Sequence, residues 1–270
     1  MDKKDQLNFF QDSEDKEIFI DPIIKKEQLI LNSPISNNKR SKLNKVLILD
    51  TETTGLDPES HRCIEVGAIL FDVRTQSVLS HHSFLLPTEN NEAELINKIP
   101  KEITQLKQPW KEALTYFQAM VLSSDYVVAH NADFDKKWFG KGFLPHINKR
   151  WICSMSDIDW GENLNLSSTP SIRELALSHD VPVWSVHRAL ADCIYLAEVF
   201  KRCSDLENLL LLALEPKKLV VARVSYEDRF LAKQAGFKWN QAIKGAWSRR
   251  LSEKQISKLA IPISIVEDDI

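Results

Sequence analysis

The sequence predicts an α/β fold: a mixed sheet with flanking helices, and a small basic α+β module appended at the C-terminal side. Three observations carry that expectation. Three β-type segments follow one another between residues 45 and 87, after which helical and strand-like segments alternate. A fresh order of strand, helix, two strands and helix restarts at Pro216. The charge divides at the same place: residues 217–258 hold eleven bases and three acids, a net +8, whereas 45–216 are net −8 in a chain of formal net charge −3.

Residues 1–44 are polar, with eight bases and eight acids and no sustained periodicity, and read as a flexible N-terminal arm. The body follows over 45–215. Residues 45–50 form an apolar run suited to a buried strand, and 61–73 and 77–87 are two further strands joined by the turn-forming RTQS. Residues 102–124 carry apolar residues at helical spacing, with Pro109 at a helix start or break. Residues 125–130 are a short strand, DFDKKWFG opens a helix ending near Gly140, and 170–179, 189–202 and the LENLLLLALE stretch are helices. The module then spans 216–262, with 263–270 as an acidic tail.

Composition excludes some classes. The longest apolar run, Leu209 to Leu214, is far too short for a membrane span, and the N-terminal residues lack the apolar stretch of a secretory signal. Four cysteines without CxxC spacing read as reduced thiols of a cytoplasmic protein. A basic appendage on an acidic body points to a polyanionic partner.

The chemistry concentrates where the first strand ends, in VLILDTETTGLDP. Alternate strand residues share a face, so Asp50 and Glu52 project together, with Cα atoms roughly 6–7 Å apart. Read alone, the stretch is equally a strand-end turn. Two carboxylates on one face repel unless a cation lies between them, and oxygen ligands suit Mg²⁺ or Mn²⁺. AHNADFD, after a second strand, brings Asp133 or Asp135 nearby. HRALADC supplies His187 and Asp192, about 140° apart on a helix at this separation. Both can reach one site only if Asp192 lies on the helix and His187 on the loop before it.

These three segments, D-x-E (Asp50, Glu52), H-N-A-x-F-D (His130 to Asp135) and H-x-A-x-x-D (His187 to Asp192), resemble the DEDDh family of 3′–5′ exonucleases in kind, order and spacing. The likeness is greatest to its proofreading, epsilon-type branch of bacterial DNA polymerase III. The resemblance implies an RNase H-like sheet of three antiparallel and two parallel strands, and it selects Asp135 over Asp133. It further implies two divalent metal ions held by Asp50, Glu52, Asp135 and Asp192, with His187 as general base and nucleoside 5′-monophosphates released from DNA 3′ ends. Thr53 is expected near the terminal 3′-OH, Leu56 against the last base, and Asn131 behind the site. Cys193 is expected to be packing. RNA as substrate, and a catalytically silent scaffold, are the alternatives.

The module mixes bases with aromatics. Arg229, Lys233, Lys238, Trp239, Trp247, Arg249 and Arg250 are candidates for nucleic-acid contact, with a core role for the two tryptophans as the competing reading. In the N-terminal arm, QLNFF (Gln6, Leu7, Phe9 and Phe10) is similar to the pentapeptide by which bacterial replication and repair proteins dock on the sliding clamp, with Phe9 in place of the usual Leu. The expected partners are therefore single-stranded or frayed DNA 3′ ends, with a clamp or polymerase as a further candidate.

Overall fold

The computed structural model describes residues 43–161, 164, 166–185 and 187–266. The chain opens with a meander, β1 (Lys45–Thr53), β2 (Cys63–Asp72) and β3 (Ser77–Leu85). Two single-turn helices, α1 (Glu94–Asn97) and α2 (Lys101–Thr104), lead to α3 (Trp110–Ser123). Then come β4 (Tyr126–Ala129), α4 (Ala132–Lys136), β5 (Trp151–Cys153), α5 (Ile172–Ser178), α6 (Ala189–Phe200) and α7 (Leu206–Ala213). The five strands form one sheet in the order β3-β2-β1-β4-β5. β1 runs antiparallel to β2 and parallel to β4, and β5 is parallel to β4. Three antiparallel and two parallel strands are the arrangement the family resemblance implied.

Alternation along β1 divides the core. Val46 and Ile48 join the cluster under α5, α6 and α7, with Leu175, Leu196 and Phe200. Leu47 and Leu49 face the other way, onto Phe117 and Met120 of α3 and onto Trp138. Asp50 and Glu52 extend the Val46–Ile48 face beyond the apolar core, toward α6. β1 pairs with β4 only as far as Leu49↔Ala129, so Asp50 stands where the parallel neighbour has ended and its loop departs. That is the edge of an open α/β sheet where sites form.

α6 lies unusually close to the sheet. Gly67, paired with Asp50 on β2, has no side chain, and a Cβ there would come within 2.4 Å of the Ala189 carbonyl carbon and the Leu190 nitrogen. The buried Cys193 thiol rests against Ile48 O and Gly67 O, the packing role expected for it.

Several boundaries differ from those read from sequence. The helix expected over 102–124 is two helices, because Pro109 has no N–H to continue a ladder and α3 starts after it. The three-residue β5 and the single-turn α1 are too short to carry a periodic signal. The module contains β6 (Lys218–Ala222), α8 (Arg229–Gln234), β7 (Lys238–Trp239), β8 (Trp247–Leu251), α9 (Glu253–Ser257) and β9 (Ile263–Val266). Its sheet order is β7-β8-β6-β9, so the residues expected to begin an acidic tail instead supply an edge strand that pairs with β6.

The module is tied to the body by charge. Lys217 pairs with Asp157, and Lys258 with Asp159 at 2.7 Å. Arg249 donates to Ala235 O at 2.7 Å and reaches Ser156 O at 3.4 Å. Gly236, at φ +75°, ends α8 in the left-handed conformation glycine favours, and a Cβ there would meet the Arg249 guanidinium at 2.7 Å. Among the described residues no helix is long and apolar enough to cross a membrane, and all four cysteines are free.

The close approach at Gly67 gives a direct expectation. Gly67→Ala should lower unfolding free energy by about 1–3 kcal/mol through overpacking against the first turn of α6, read from the denaturation midpoint. An unchanged midpoint would mean that α6 does not sit on the sheet as described.

Candidate active site

A cleft of about 610 Å³ opens at the carboxyl end of β1 and contains Asp50, Glu52, Asp135, His187 and Asp192. One oxygen each from Asp50, Glu52 and Asp192 lie within 4.8 Å of one another. Asp135 lines the same cleft from α4, but Thr51, which points opposite to its neighbours on β1, donates its hydroxyl to Asp135 Oδ1 at 2.8 Å. Of the two aspartates in AHNADFD, Asp135 is buried and lines the cleft, whereas Asp133 faces solvent. His187 stands on the loop before α6 at φ +61°, a left-handed conformation that is uncommon for a side chain and marks local strain.

Asp192 lies on the first turn of α6, so loop and helix deliver His187 and Asp192 to one cleft as the five-residue separation required. The electrostatics are unfavourable to an ionised cluster. Desolvation, followed by the charges of Asp135 and Asp192, holds the Asp50 carboxyl well above the usual carboxylate range. Desolvation and Asp192 push Glu52 up to about 8. Desolvation raises Asp135 to about 7 against the opposing Thr51 hydroxyl. Asp192 rises to about 6, although the His187 backbone N–H favours its ionised form. Asp192 Oδ1 is buried with no hydrogen-bond partner.

Residues that the sequence reading passed over hold this arrangement. Glu65, buried on β2 and paired across from Glu52, accepts from Arg188 Nε at 3.0 Å and Nη2 at 2.9 Å. It also accepts from the Ala189 N–H at 3.1 Å. One carboxylate thus clamps both the residue after His187 and the start of α6, in the bidentate geometry that favours arginine. The available signal was a lone acid inside the apolar run CIEVGAILF, which a buried strand admits only if the acid is paired. His130 spans the other wall, with Nε2–H donating to Pro170 O and Nδ1 accepting from Ser154, both at 2.9 Å. Burial lowers its pKa to about 4, so the ring is neutral and structural.

The remaining expected residues are distributed unevenly. Thr53 lines the cleft, its hydroxyl donating to Gly55 O at 2.6 Å and its carbonyl accepting from the buried Asn97. Leu56 is on the rim and 77% exposed, and Ile96, which the sequence did not single out, joins it there at 59%. Asn131 does not line the cleft; at φ +73° it turns the chain from β4 into α4. In the module, Arg249 is turned inward to the seam rather than outward, while Arg229, Lys233, Lys238 and Arg250 have exposed side chains. Trp239 is 52% exposed and Trp247 half-buried against a core built on Phe237. Gln6, Leu7, Phe9 and Phe10 lie outside the described residues.

Residues 47–200 match the RNase_T family model, described as exonuclease. The chain belongs to this exonuclease family. The chain is 30% identical over 164 residues to the DNA polymerase III subunit epsilon of Rickettsia prowazekii, covering 57% of this chain and 71% of that one. It is also 30% identical over 168 residues to the PolC-type DNA polymerase III of Thermotoga maritima, 58% of this chain but 12% of the polymerase, so it spans a small part of the length of such relatives. The crystal structure of E. coli Exonuclease I in complex with a dT13 oligonucleotide shares the fold, with a TM-score of 0.50 and 17% identity over 69% of this chain and 49% of that one. Residues 218–266 match a domain family of unknown function.

The cleft's carboxylates fit a divalent cation. Three oxygens converge, one buried oxygen has no partner, and a cation would favour the ionised forms that the protein alone disfavours. Asp50, Glu52 and Asp192 would hold it, with Asp135 beside them.

Two expectations follow from this electrostatic arrangement. Folded-state carboxyl pKa values raised above their unfolded values contribute stability at low pH that is lost as pH climbs through them. For Glu52 that window runs from about 4.5 to about 8. The site's contribution to the stability of the chelated protein should therefore fall across that window, less so in Asp50→Asn, and Mn²⁺ should raise Tm more at its alkaline end; scanning fluorimetry checks both. Separately, Glu65→Gln should cost about 1–3 kcal/mol of stability and lower nucleotide release, since Arg188 and the start of α6 lose their shared anchor. Wild-type stability and turnover in that variant would contradict the clamp.

Proposed function

We propose that the chain is a metal-dependent 3′–5′ exonuclease acting on single-stranded or frayed DNA 3′ ends and releasing nucleoside 5′-monophosphates. The observation that carries this is the convergence of Asp50, Glu52 and Asp192 beside an exposed His187 in one cleft with an apolar rim. The likeness to DNA polymerase III subunits supports DNA as the substrate.

Two divalent ions of the Mg²⁺ or Mn²⁺ type, held by Asp50, Glu52, Asp135 and Asp192, would supply activation of the attacking water and stabilisation of the leaving oxygen. The chain's own residues do the rest. Leu56 and Ile96 offer apolar surface to the terminal base, and the backbone near Thr53, fixed by Asn97, receives the terminal 3′-OH. The carboxylates are half-buried to buried, so a single-stranded or frayed terminus is the form that brings its last phosphodiester to them. His187 takes a proton from water as the water oxygen joins phosphorus. The bond to the 3′ oxygen of the preceding nucleotide breaks, that oxygen is protonated, and His187 returns its proton to solvent. Glu65 and Arg188 keep the His187 loop in register with Asp192.

The test is a panel of 5′-labelled single-stranded DNA, duplex with a mismatched 3′ end, and RNA, each with Mg²⁺ or Mn²⁺. DNA should shorten one nucleotide at a time from its 3′ end. Asp50→Asn should abolish release, and His187→Ala should reduce turnover by about 10²–10⁴-fold while Mn²⁺ binding by calorimetry persists. Faster loss of RNA than DNA would overturn the substrate assignment, and full turnover in Asp50→Asn the mechanism.

A further inference from the structure

The module carries a second cleft, of about 590 Å³, far along the chain from the carboxylates. Its walls include Tyr226, Arg229, Trp239 and Trp247, and its floor comes from β6. Tyr226 is 75% exposed and Trp239 52%, although both are large rings that a small domain with its own core at Val220, Phe237 and Leu251 has no need to leave in water. The rings are also arranged. The Arg229 guanidinium lies over the Tyr226 ring, 3.9 Å from its centroid, and the same side chain donates to Tyr226 O at 2.6 Å, which fixes it there. Trp239 and Trp247 sit as a tilted pair with centroids 5.7 Å apart. Lys233, Lys238 and Lys244 are exposed on neighbouring surface.

The cleft has continuity with the body. Trp239 and Trp247 also line a second cavity of about 360 Å³, with Lys233, Lys238 and, from the body, Thr169. Thr169 precedes Pro170, whose carbonyl holds His130, and His130 lines the catalytic cleft.

We infer that this aromatic and basic cleft binds the single-stranded nucleic acid upstream of the terminus being cut, stacking bases on Tyr226 and Trp239 while Arg229 and the neighbouring lysines meet phosphates. Planar rings beside fixed cations match a strand that has both base faces and phosphates, and every base has a face to offer. The net −8 body repels a polyanion, and the module supplies the opposing charge. Acidic peptides share the charge but not the bases. The inference deepens the exonuclease reading and rests on it for the identity of the strand.

The test uses the full chain with a labelled oligothymidylate of about 20 nucleotides and with a trinucleotide too short to span both clefts. In chelator, Tyr226→Ala and Trp239→Ala should each weaken binding of the long strand by roughly tenfold. Arg229→Ala should reduce the slope of log affinity against log salt by about 0.7. With metal present, kcat/KM should fall roughly tenfold more on the long strand than on the trinucleotide for each ring removed. Long-strand affinity unmoved in the double variant, an equal loss on both lengths, or displacement of the strand by an acidic peptide at equal charge concentration overturns the cleft. Failure of the unsubstituted chain to release nucleotides from the trinucleotide is a separate result, and it counts against the catalytic reading alone.

Discussion

The structure depends on a crowding of like charge. Asp50, Glu52, Asp135 and Asp192 are drawn into one cleft where desolvation favours the protonated form of each, joined at Asp50 and Glu52 by the charges of the neighbouring carboxylates. A fold gains nothing from such a cluster by itself, because each ionised carboxylate without a counter-charge opposes compaction. The arrangement is intelligible as the receptor for a cation, and the rest of the body is built to keep it from relaxing. β1 runs past the end of β4, so its last residues have no parallel strand beside them at the sheet edge. The bare backbone at Gly67 admits α6 close enough to bring Asp192 to Asp50.

Buried polar partners complete the restraint. Glu65 would itself add to the repulsion, yet its carboxylate is committed to Arg188 and the Ala189 N–H. It thereby acts as a strut that fixes the loop bearing His187. Thr51 holds Asp135 and the neutral His130 joins β4's end to Ser154 and Pro170. These groups come from β1, β2, α4, the start of α6 and the loops between elements, so the site is set by the fold as a whole rather than by any one motif.

The module's charge has two uses. Lys217, Lys258 and Arg249 are engaged at the seam with the acidic body, which draws the two parts together. The formal charge therefore overstates what remains for a ligand. Of the other bases, Arg229 lies over Tyr226, and the exposed Lys233 and Lys238 share a cavity with Trp239.

Local rules were sufficient for much of this. Strict alternation in β1 placed Asp50 and Glu52 on one face, Pro109 marked a helix boundary, and the charge change at Pro216 marked the module. Helical geometry required that His187 leave the helix carrying Asp192. Other features had no local signature. β5 and α1 are shorter than a period, β9 exists only because β6 offers an edge, and Glu65 reads as a blemish in an apolar strand until Arg188 meets it across 123 residues. Periodicity, capping and charge are properties of neighbouring residues, so the sequence by itself determined the longer elements, the chemistry of the side chains and the family. Which carboxylates converge, which arginine is turned to the seam and which rings stay in water depended on segments distant along the chain, and only their packing in three dimensions decided it.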